Sequence, residues 1–355
     1  MTALTVPARP DEDGARLRPV PWRRMAGVTW RQHRFALAGV AALLGALAVW
    51  LWIIGTPLHH AYAVAAACHP ASSPACQKLA DTFNGMDDLM AGATTPGGVF
   101  LQLVPVLIGA FAGAPVLARE LETGTFRYAW TQGFGRWRWA LAKLVLLGAL
   151  LAAATGTVGA LVSWYYQPYF APGNQALYLN EMSPFATLFT LRGVAFPAWT
   201  LAAFTIGALA GMLIRRIVPA IIATLAIYAG LALATGLSLR EHYLTPLLTS
   251  NPNVPGTAWI ISNWSARHGK FAYAGNPPDI LLNRFCSSLP AGPGKAGISP
   301  QAFAQCLARH GYTQWTSYQP ASRFWPFQGI EGGWLLALSA LLIAATVWLV
   351  HRRAA

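Results

Sequence analysis

Six apolar stretches dominate this sequence, and their interiors contain no Asp, Glu, Lys, Arg or His. A hydrocarbon core about 30 Å thick requires roughly 20 apolar residues in a helix. The stretches of this length are Phe35–Gly55, Val99–Ala118, Leu144–Ser163, Gly193–Ile214, Ile217–Leu239 and Gly332–Val350. Arg215 and Arg216 separate the fourth stretch from the fifth, and such a pair would be very costly at mid-membrane, so it predicts a water-facing turn. We therefore predict an all-α integral membrane protein with six transmembrane helices.

The overall charge does not indicate a nucleic-acid-binding protein, although the net charge is +13. Only 10% of the residues are charged, whereas soluble domains have about 25%. Too few residues remain outside the apolar stretches for a large soluble catalytic domain.

The basic residues are concentrated on one side of the predicted membrane. Those on this side are Arg9, Arg16, Arg18, Arg23, Arg24, Arg31, Arg34, Arg119, Arg127, Arg136, Arg138, Lys143, Arg215, Arg216, Arg352 and Arg353. The short loops on the other side hold almost none. By the positive-inside rule, both termini are cytoplasmic and the chain is a multi-pass protein of the cell (cytoplasmic) membrane. The first apolar run is too long for a cleavable signal peptide.

These features divide the chain into segments. Residues 1–19 are predicted to be a disordered cytoplasmic tail, and residues 20–34 an amphipathic helix at the membrane surface. An ordinary basic anchor is the alternative for the second segment. The remaining segments are 35–239 with the first five spans, including a cytoplasmic connection at 119–143, then an extracellular segment at 240–329, and 330–355 with the sixth span and a cytoplasmic tail.

The four cysteines all lie in predicted outer segments, which favours disulfides formed in an oxidising compartment. Pairing within each segment, Cys68–Cys76 and Cys286–Cys306, is the simplest of the three possible connectivities. A zinc site is the alternative, because His59, His60 and His69 lie near the first pair. Their spacing matches no standard zinc motif, so no metal is predicted.

The chain lacks the usual sources of energy for uphill transport. It has no phosphate-binding loop for ATP, and its apolar stretches have no acidic or histidine relay for ion coupling. We predict no cofactor and no enzymatic activity in this chain, so energy must enter through a partner.

The connection between the second and third stretches carries the most specific motif. It reads Arg119-Glu120-Leu121-Glu122-Thr123-Gly124-Thr125. This string resembles the R-E-x-E-x-G-T signature of type-2 ABC exporter permeases, and the string Tyr318–Trp325 looks like that of actinobacterial members. The six-helix layout, with an amphipathic helix before the first span and an outer segment between the fifth and sixth, is similar to the same family. The outer segment is longer than is common there.

The resemblance implies a role for this connection. Arg119, Glu120, Glu122, Gly124 and Thr125 would belong to coupling helices that dock on a separate ABC ATPase subunit. It also implies a homodimer, or a heterodimer with a sister permease. The alternative is that Arg119, Arg127 and Lys143 only anchor the segment, and that the glutamates neutralise them. Two G-x-x-x-G pairs, Gly109 with Gly113 and Gly207 with Gly211, predict close helix packing within the chain or at a dimer seam.

We therefore expect the permease subunit of an ATP-driven exporter. The uncharged spans suit a lipophilic drug, peptide or lipid-like substrate. Candidate substrate contacts are Gln102, Thr155, Thr200 and Thr205. The alternative function is a membrane enzyme or accessory factor that acts through its extracellular segment. Its candidate groups are Glu241, His242, His268, Asp279 and His310.

Overall fold

The chain is described by a computed structural model that covers residues 21–70, 73–86, 96–124, 136–170, 183, 185, 189–275, 284–287, 289 and 300–353. Helices account for most of these residues. They are α1 (Trp22–Ala66), α2 (Pro74–Asn84), α3 (Pro96–Ile108), α4 (Ala114–Thr123), α5 (Arg136–Tyr165), α6 (Ala195–Ile214), α7 (Ile217–Ala234), α8 (Pro300–Arg309) and α9 (Phe324–Arg353). Two π-helical turns, at Gly109–Gly113 and Thr235–Leu239, continue α3 into α4 and extend α7.

Six helical segments in the described part of the chain are long and apolar enough to cross a bilayer, and this confirms the predicted class of membrane protein. They are Met25–Ala66, Phe100–Thr123, Trp137–Tyr165, Ala195–Ile214, Ile217–His242 and Ala321–Arg352. Each of them overlaps one predicted apolar stretch.

The first helix is longer than the first apolar stretch. α1 has 45 residues, which corresponds to about 68 Å at 1.5 Å per residue, or more than twice the thickness of a hydrocarbon core. The predicted surface helix at 20–34 and the first span therefore form one continuous helix from Trp22. No proline or glycine lies between Arg31 and Phe35 to interrupt it.

α6 forms the centre of the bundle, and it contacts α3, α4, α5, α7 and α9. Most of its residues are buried, and many of them are Ala, Gly or Thr. Small side chains allow helices to approach closely, which drives association in a membrane, where lipid is as apolar as the side chains. α1 packs on α5 and α2 at the side of this core.

The closest helix contact joins the π-helical turn after α3 to α6. A Cβ atom on Gly109 would lie 2.6 Å from the carbonyl oxygen of Ala203, and one on Gly207 would collide with the carbonyl oxygen of Gly109. The G-x-x-x-G pairs of the two segments therefore pack against each other within the chain. Pro115 opens α4 directly after the π-helical turn, where the wider helical turn accommodates its missing N–H.

A four-stranded antiparallel sheet of order β1-β4-β2-β3 lies between α7 and α9 in sequence. The strands are β1 (Leu247–Thr249), β2 (Trp259–Arg267), β3 (Lys270–Ala274) and β4 (Tyr312–Gln319). His268 and Gly269 join β2 to β3, and both have the positive φ angles of a tight hairpin turn. We call the end of the helix bundle that is joined to the sheet the sheet end. The opposite end, which contains Thr123, Arg136 and Arg216, is called the coupling end.

The last helix begins earlier than the sixth apolar stretch. α9 starts at Phe324, directly after the 3₁₀ turn Ala321–Arg323 that follows β4. The first turns of α9 are therefore part of the helix bundle, although the sequence analysis assigned residues up to 329 to the outer segment. This extension brings Gln328 and Glu331 next to α6.

Candidate coupling site

The last turn of α4 is attached to α5 by a buried ion pair. Glu120 pairs with Lys143, whose side chain is completely buried, whereas the Glu120 side chain is 18% exposed. The Lys143 ammonium group also lies 4.5 Å from the ring centroid of Trp139. A buried ammonium group without a counter-ion would be strongly destabilising, so Glu120 neutralises Lys143 and holds α4 against α5.

The second glutamate of the motif connects α4 to α7. The Glu122 carboxylate oxygen Oε2 accepts a hydrogen bond of 3.2 Å from the backbone N–H of Ile217, the first residue of α7. The first N–H groups of a helix have no partner inside that helix, and its N-terminus favours negative charge. Glu122 therefore caps α7 from a different helix. Arg215 (φ 60°) and the extended Arg216 form the turn that presents this N-terminus.

α4 ends at Thr123, and the next residue, Gly124, adopts the left-handed conformation with φ of 71° that commonly follows the end of a helix. The exposed Arg119 lies one turn before this end, and its carbonyl oxygen accepts a hydrogen bond from Thr123. Thr125, Arg127 and the rest of the segment up to residue 135 lie outside the described residues. The predicted second coupling helix falls in this part of the chain.

α4 thus contacts three other helices along its length, through different interactions. It contacts α5 through Glu120, α7 through Glu122, and α6 at Gly211, where an added Cβ would meet the backbone of Ala114 and Ala118. A displacement of the chain near Gly124 would therefore act on the ends of three membrane helices at once.

A family model described as ABC-2 membrane transporter related matches residues 41–240. The match covers more than half of the 355 residues and includes α3, α4, α5 and the whole connection at 119–143. The chain belongs to this family. It is therefore a multi-pass membrane protein and a permease of an ABC transporter. No curated protein and no solved structure matches the chain.

The ABC-2 permease has a second buried ionic cluster, at the sheet end, which the sequence analysis did not predict. The completely buried Glu331 accepts two hydrogen bonds of 2.9 Å from the Arg240 guanidinium. The indole N–H of Trp199 donates a third, of 2.8 Å, and the Tyr243 hydroxyl a longer one of 3.3 Å. Burial and the Glu331 carboxylate raise the pKa of Tyr243 to about 12, so this hydroxyl stays protonated. We call these four residues the Glu331 cluster.

A neighbouring amide connects α9 to the start of α6. The Gln328 side chain accepts a hydrogen bond of 2.8 Å from the backbone N–H of Ala195 and donates one of 2.8 Å to the carbonyl oxygen of Phe189. Gln328, Glu331 and Arg240 all lie just outside predicted apolar stretches. A position beside a span was the only sequence feature that could have indicated a buried polar contact. The same position is equally typical of polar residues that face water at the ends of spans.

The structure pairs Cys68 with Cys76 and Cys286 with Cys306. The first disulfide joins the end of α1 to α2, and the second joins α8 to the short turn at Cys286. Neither pair is therefore available as zinc ligands. His59 stacks on Trp164, with ring centroids 4.5 Å apart.

Neither of the two grooves described below is lined by a candidate substrate contact (Gln102, Thr155, Thr200 or Thr205). Thr155, Thr200 and Thr205 are buried, and each hydroxyl donates to a backbone carbonyl three or four residues earlier in its own helix. Two surface grooves at the sheet end have volumes of about 560 and 460 Å³. The larger lies between α1 and α2 near His60, and the smaller lies between α8 and β4.

The described groups proposed for an enzymatic outer segment lie on two different elements, the 3₁₀ turn after α7 and the β2–β3 turn with the end of α8; the backbone N–H of His268 donates a hydrogen bond to Gly311, the neighbour of His310. Glu241 and His242 are on the 3₁₀ turn that follows α7, with 3.7 Å between the carboxylate and the imidazole. His268 is in the β2–β3 turn, and His310 follows α8. Asp279 lies outside the described residues.

Proposed function

We propose that this ABC-2 permease is the membrane subunit of an ATP-driven exporter, and that a separate ABC ATPase docks at the coupling end. The observation that carries the proposal is the double attachment of α4 through Glu120 and Glu122. Both glutamates belong to the motif that resembles the coupling signature, together with Arg119, Gly124 and Thr125. Members of the family generally work with an ABC ATPase, which supports a partner of this kind.

In this mechanism, nucleotide binding by the ATPase moves the chain that follows Gly124. The Glu120–Lys143 pair transmits the movement to α5, and the Glu122 contact transmits it to α7. Close packing at Gly211 transmits it to α6, which extends to the Glu331 cluster at the opposite end. The spans would thereby alternate between two arrangements.

The substrate and the assembly are part of the same proposal. The interiors of the predicted spans carry no charged side chain, which suits a lipophilic drug, a peptide or a lipid-like molecule better than an ion or a sugar. Six spans are half of the usual exporter of this type, so we propose a homodimer or a heterodimer with a sister permease, together with two ATPase subunits.

Replacing Glu122 by alanine tests the coupling site directly. Loss of the cap weakens the attachment of α4 to α7 by about 1 kcal/mol, or about fivefold in its equilibrium constant. We therefore expect the stimulation of ATP hydrolysis by the permease to fall by about fivefold while the spans stay folded. The permease would be co-expressed with the ABC ATPase encoded nearest to it and purified in mild detergent. Co-elution in size-exclusion chromatography and the ATPase rate would then be measured.

Glu241→Ala is the matched control, because it removes a half-buried carboxylate at the sheet end, far from the coupling motif in sequence. This variant should behave as the wild type does. A wild-type permease that retains no ABC ATPase would contradict the proposed function. A Glu122→Ala variant that stimulates ATP hydrolysis as well as Glu241→Ala does would contradict the role assigned to Glu122.

The proposed orientation places the sheet end outside the cell and both termini in the cytoplasm. In intact cells, a membrane-impermeant maleimide should label Ser250→Cys, whereas Arg216→Cys should react only after the cells are permeabilised. Both positions are exposed, and the native cysteines are disulfide-bonded, so the wild type serves as the unlabelled control. The reverse labelling pattern would mean that the orientation is inverted.

A further inference from the structure

Arg192 is a buried arginine at the sheet end, between the 3₁₀ turn Phe189–Leu191 and α6. It is only 9% exposed. The central carbon of its guanidinium lies 4.0 Å from the ring centroid of Phe170 and 4.7 Å from that of Phe324. The two rings hold the cation in place through cation–π contacts.

Two hydrogen-bond donors of the Arg192 guanidinium lack an acceptor among the residues that the structure describes. Its Nε and Nη1 atoms are both buried, and neither has an acceptor in the part of the chain that the structure describes. Burial lowers the pKa of Arg192 to about 10, so the group is still cationic at neutral pH. A buried charge of this kind normally has a counter-ion, because leaving it without one is strongly destabilising.

Arg240 provides an internal comparison. Its guanidinium lies 4.4 Å from the ring centroid of Phe189, and that ring is 5.7 Å from Phe324. The two arginines therefore belong to the same aromatic cluster. Arg240 is neutralised by Glu331 through two hydrogen bonds, whereas Arg192 has no carboxylate partner among the described residues. Aromatic packing is thus common to both, and among the described residues Arg240 has a carboxylate partner whereas Arg192 has none.

The surroundings of Arg192 favour an external anion. α6 begins three residues later, and although the backbone N–H of Ala195 is already bonded to Gln328, the positive end of the helix still favours a negative charge nearby. Nearby, Trp325 is 66% exposed, and Trp is typical of the level of lipid headgroups in membrane proteins. Arg192 and Trp325 both contact Phe324. The site therefore lies at the end of the bundle where phosphate groups of a lipid leaflet are expected.

We propose that Arg192 binds a phosphate group at the sheet end. The phosphate belongs either to a phospholipid headgroup or to a soluble phosphate compound, since both offer the oxygens that a guanidinium recognises. Binding requires neither ATP nor an ATPase subunit. The proposal is therefore independent of the exporter function and can fail or succeed separately.

The test uses the full-length permease, purified without added lipid in an uncharged detergent. Its melting temperature is followed by tryptophan fluorescence while one probe is titrated. The probes are dihexanoyl phosphatidylglycerol, inorganic phosphate and, as an uncharged reference, dihexanoyl glycerol. We expect a concentration-dependent rise in melting temperature with phosphatidylglycerol, and none with dihexanoyl glycerol. A rise with phosphatidylglycerol alone identifies a lipid headgroup, and an equal rise with inorganic phosphate identifies a soluble source.

The variants are Arg192→Gln, Arg192→Lys and the control Arg267→Gln, which removes an exposed arginine on β2. Arg192→Gln should weaken binding by about tenfold to a hundredfold, because it removes charge-assisted hydrogen bonds. Arg192→Lys, which keeps the charge, should bind with intermediate affinity. Arg267→Gln should bind as the wild type does. Since Arg192→Gln also removes an uncompensated buried charge, it should fold.

Two results would overturn the proposal. One is a wild-type melting temperature that neither phosphate compound raises, or that dihexanoyl glycerol raises equally. The other is an Arg192 variant that responds as Arg267→Gln does. If Arg192→Gln does not yield folded protein, native mass spectrometry of the wild type and Arg192→Lys decides, and equal retention of phosphatidylglycerol by the two would also count against the site.

Discussion

Replacing Glu331 by alanine is expected to destabilise the permease by about 3–5 kcal/mol, the usual effect of breaking a buried ion pair. The carboxylate is completely buried and satisfies Arg240 and Trp199. Without it, the Arg240 charge and the Trp199 indole N–H would be left without an acceptor. For a chain of this size, we expect the melting temperature in detergent to fall by roughly 5–10 °C.

Glu241→Ala is the control for this variant, since Glu241 lies at the same end of the bundle but its side chain is 39% exposed, against 0% for Glu331. The pair Glu331→Leu with Arg240→Met removes both charges and should recover much of the lost stability, because a buried ion pair can often be replaced by apolar side chains. If Glu331→Ala melted within a degree or two of Glu241→Ala, the Glu331 cluster would not stabilise the sheet end.

Replacing Gly207 by valine is expected to prevent normal folding of the helix bundle. The added Cβ would lie against the carbonyl oxygen of Gly109 and 2.7 Å from the backbone nitrogen of Ala114. Overpacking a core normally costs about 1–3 kcal/mol, and here the obstacle is backbone, which cannot rotate away as a side chain can. We expect at least the upper value, seen as loss of the monodisperse peak in size-exclusion chromatography.

The matched control is Gly230→Val on α7, where nothing lies within 4 Å of an added Cβ. Both changes replace a helical glycine by the same β-branched residue, so the difference between them isolates the helix contact. A Gly207→Val protein with the yield and melting temperature of Gly230→Val would show that α3 and α6 do not pack through these glycines.

Together, these contacts give α6 a central place in the proposed mechanism. In its C-terminal half, Gly207 and Gly211 contact the π-helical turn and α4. α4 carries most of the motif that resembles the coupling signature. Near its N-terminus, Trp199 donates to Glu331 on α9. One helix therefore connects the site proposed for the ATPase with the sheet end. Close packing on both sides makes it suited to transmit a rigid movement.

Several elements follow directly from the residues. The six spans were predictable because length and lack of charge are sufficient to identify a membrane helix. Gly109, Gly113, Gly207 and Gly211 stood out because glycines four residues apart lie on one helix face. The family was recognisable in part from a short string around Glu120 and Gly124.

The sheet was less accessible to prediction. β1 and β3 have three and five residues, too short for a clear alternation of apolar and polar side chains. β2 carries an irregularity between Ser265 and Ala266 that disturbs the pattern further. The pairing of β4 with β2 joins residues far apart in sequence, and a local pattern does not specify such a partner.

The sequence by itself determined the membrane class, the number of spans and the positions where helices approach closely, because these depend on local length, charge and side-chain size. Only the tertiary structure decided whether the charged side chains at the ends of the spans are buried or face water. Lys143, Arg192, Arg240 and Glu331 all lie next to apolar stretches, where a charged side chain faces water as readily as it faces a neighbouring helix. Which of these occurs depends on how each helix is rotated and on which helices lie next to it. In this fold, Lys143 lies against Glu120, Arg240 against Glu331, and Arg192 between two aromatic rings.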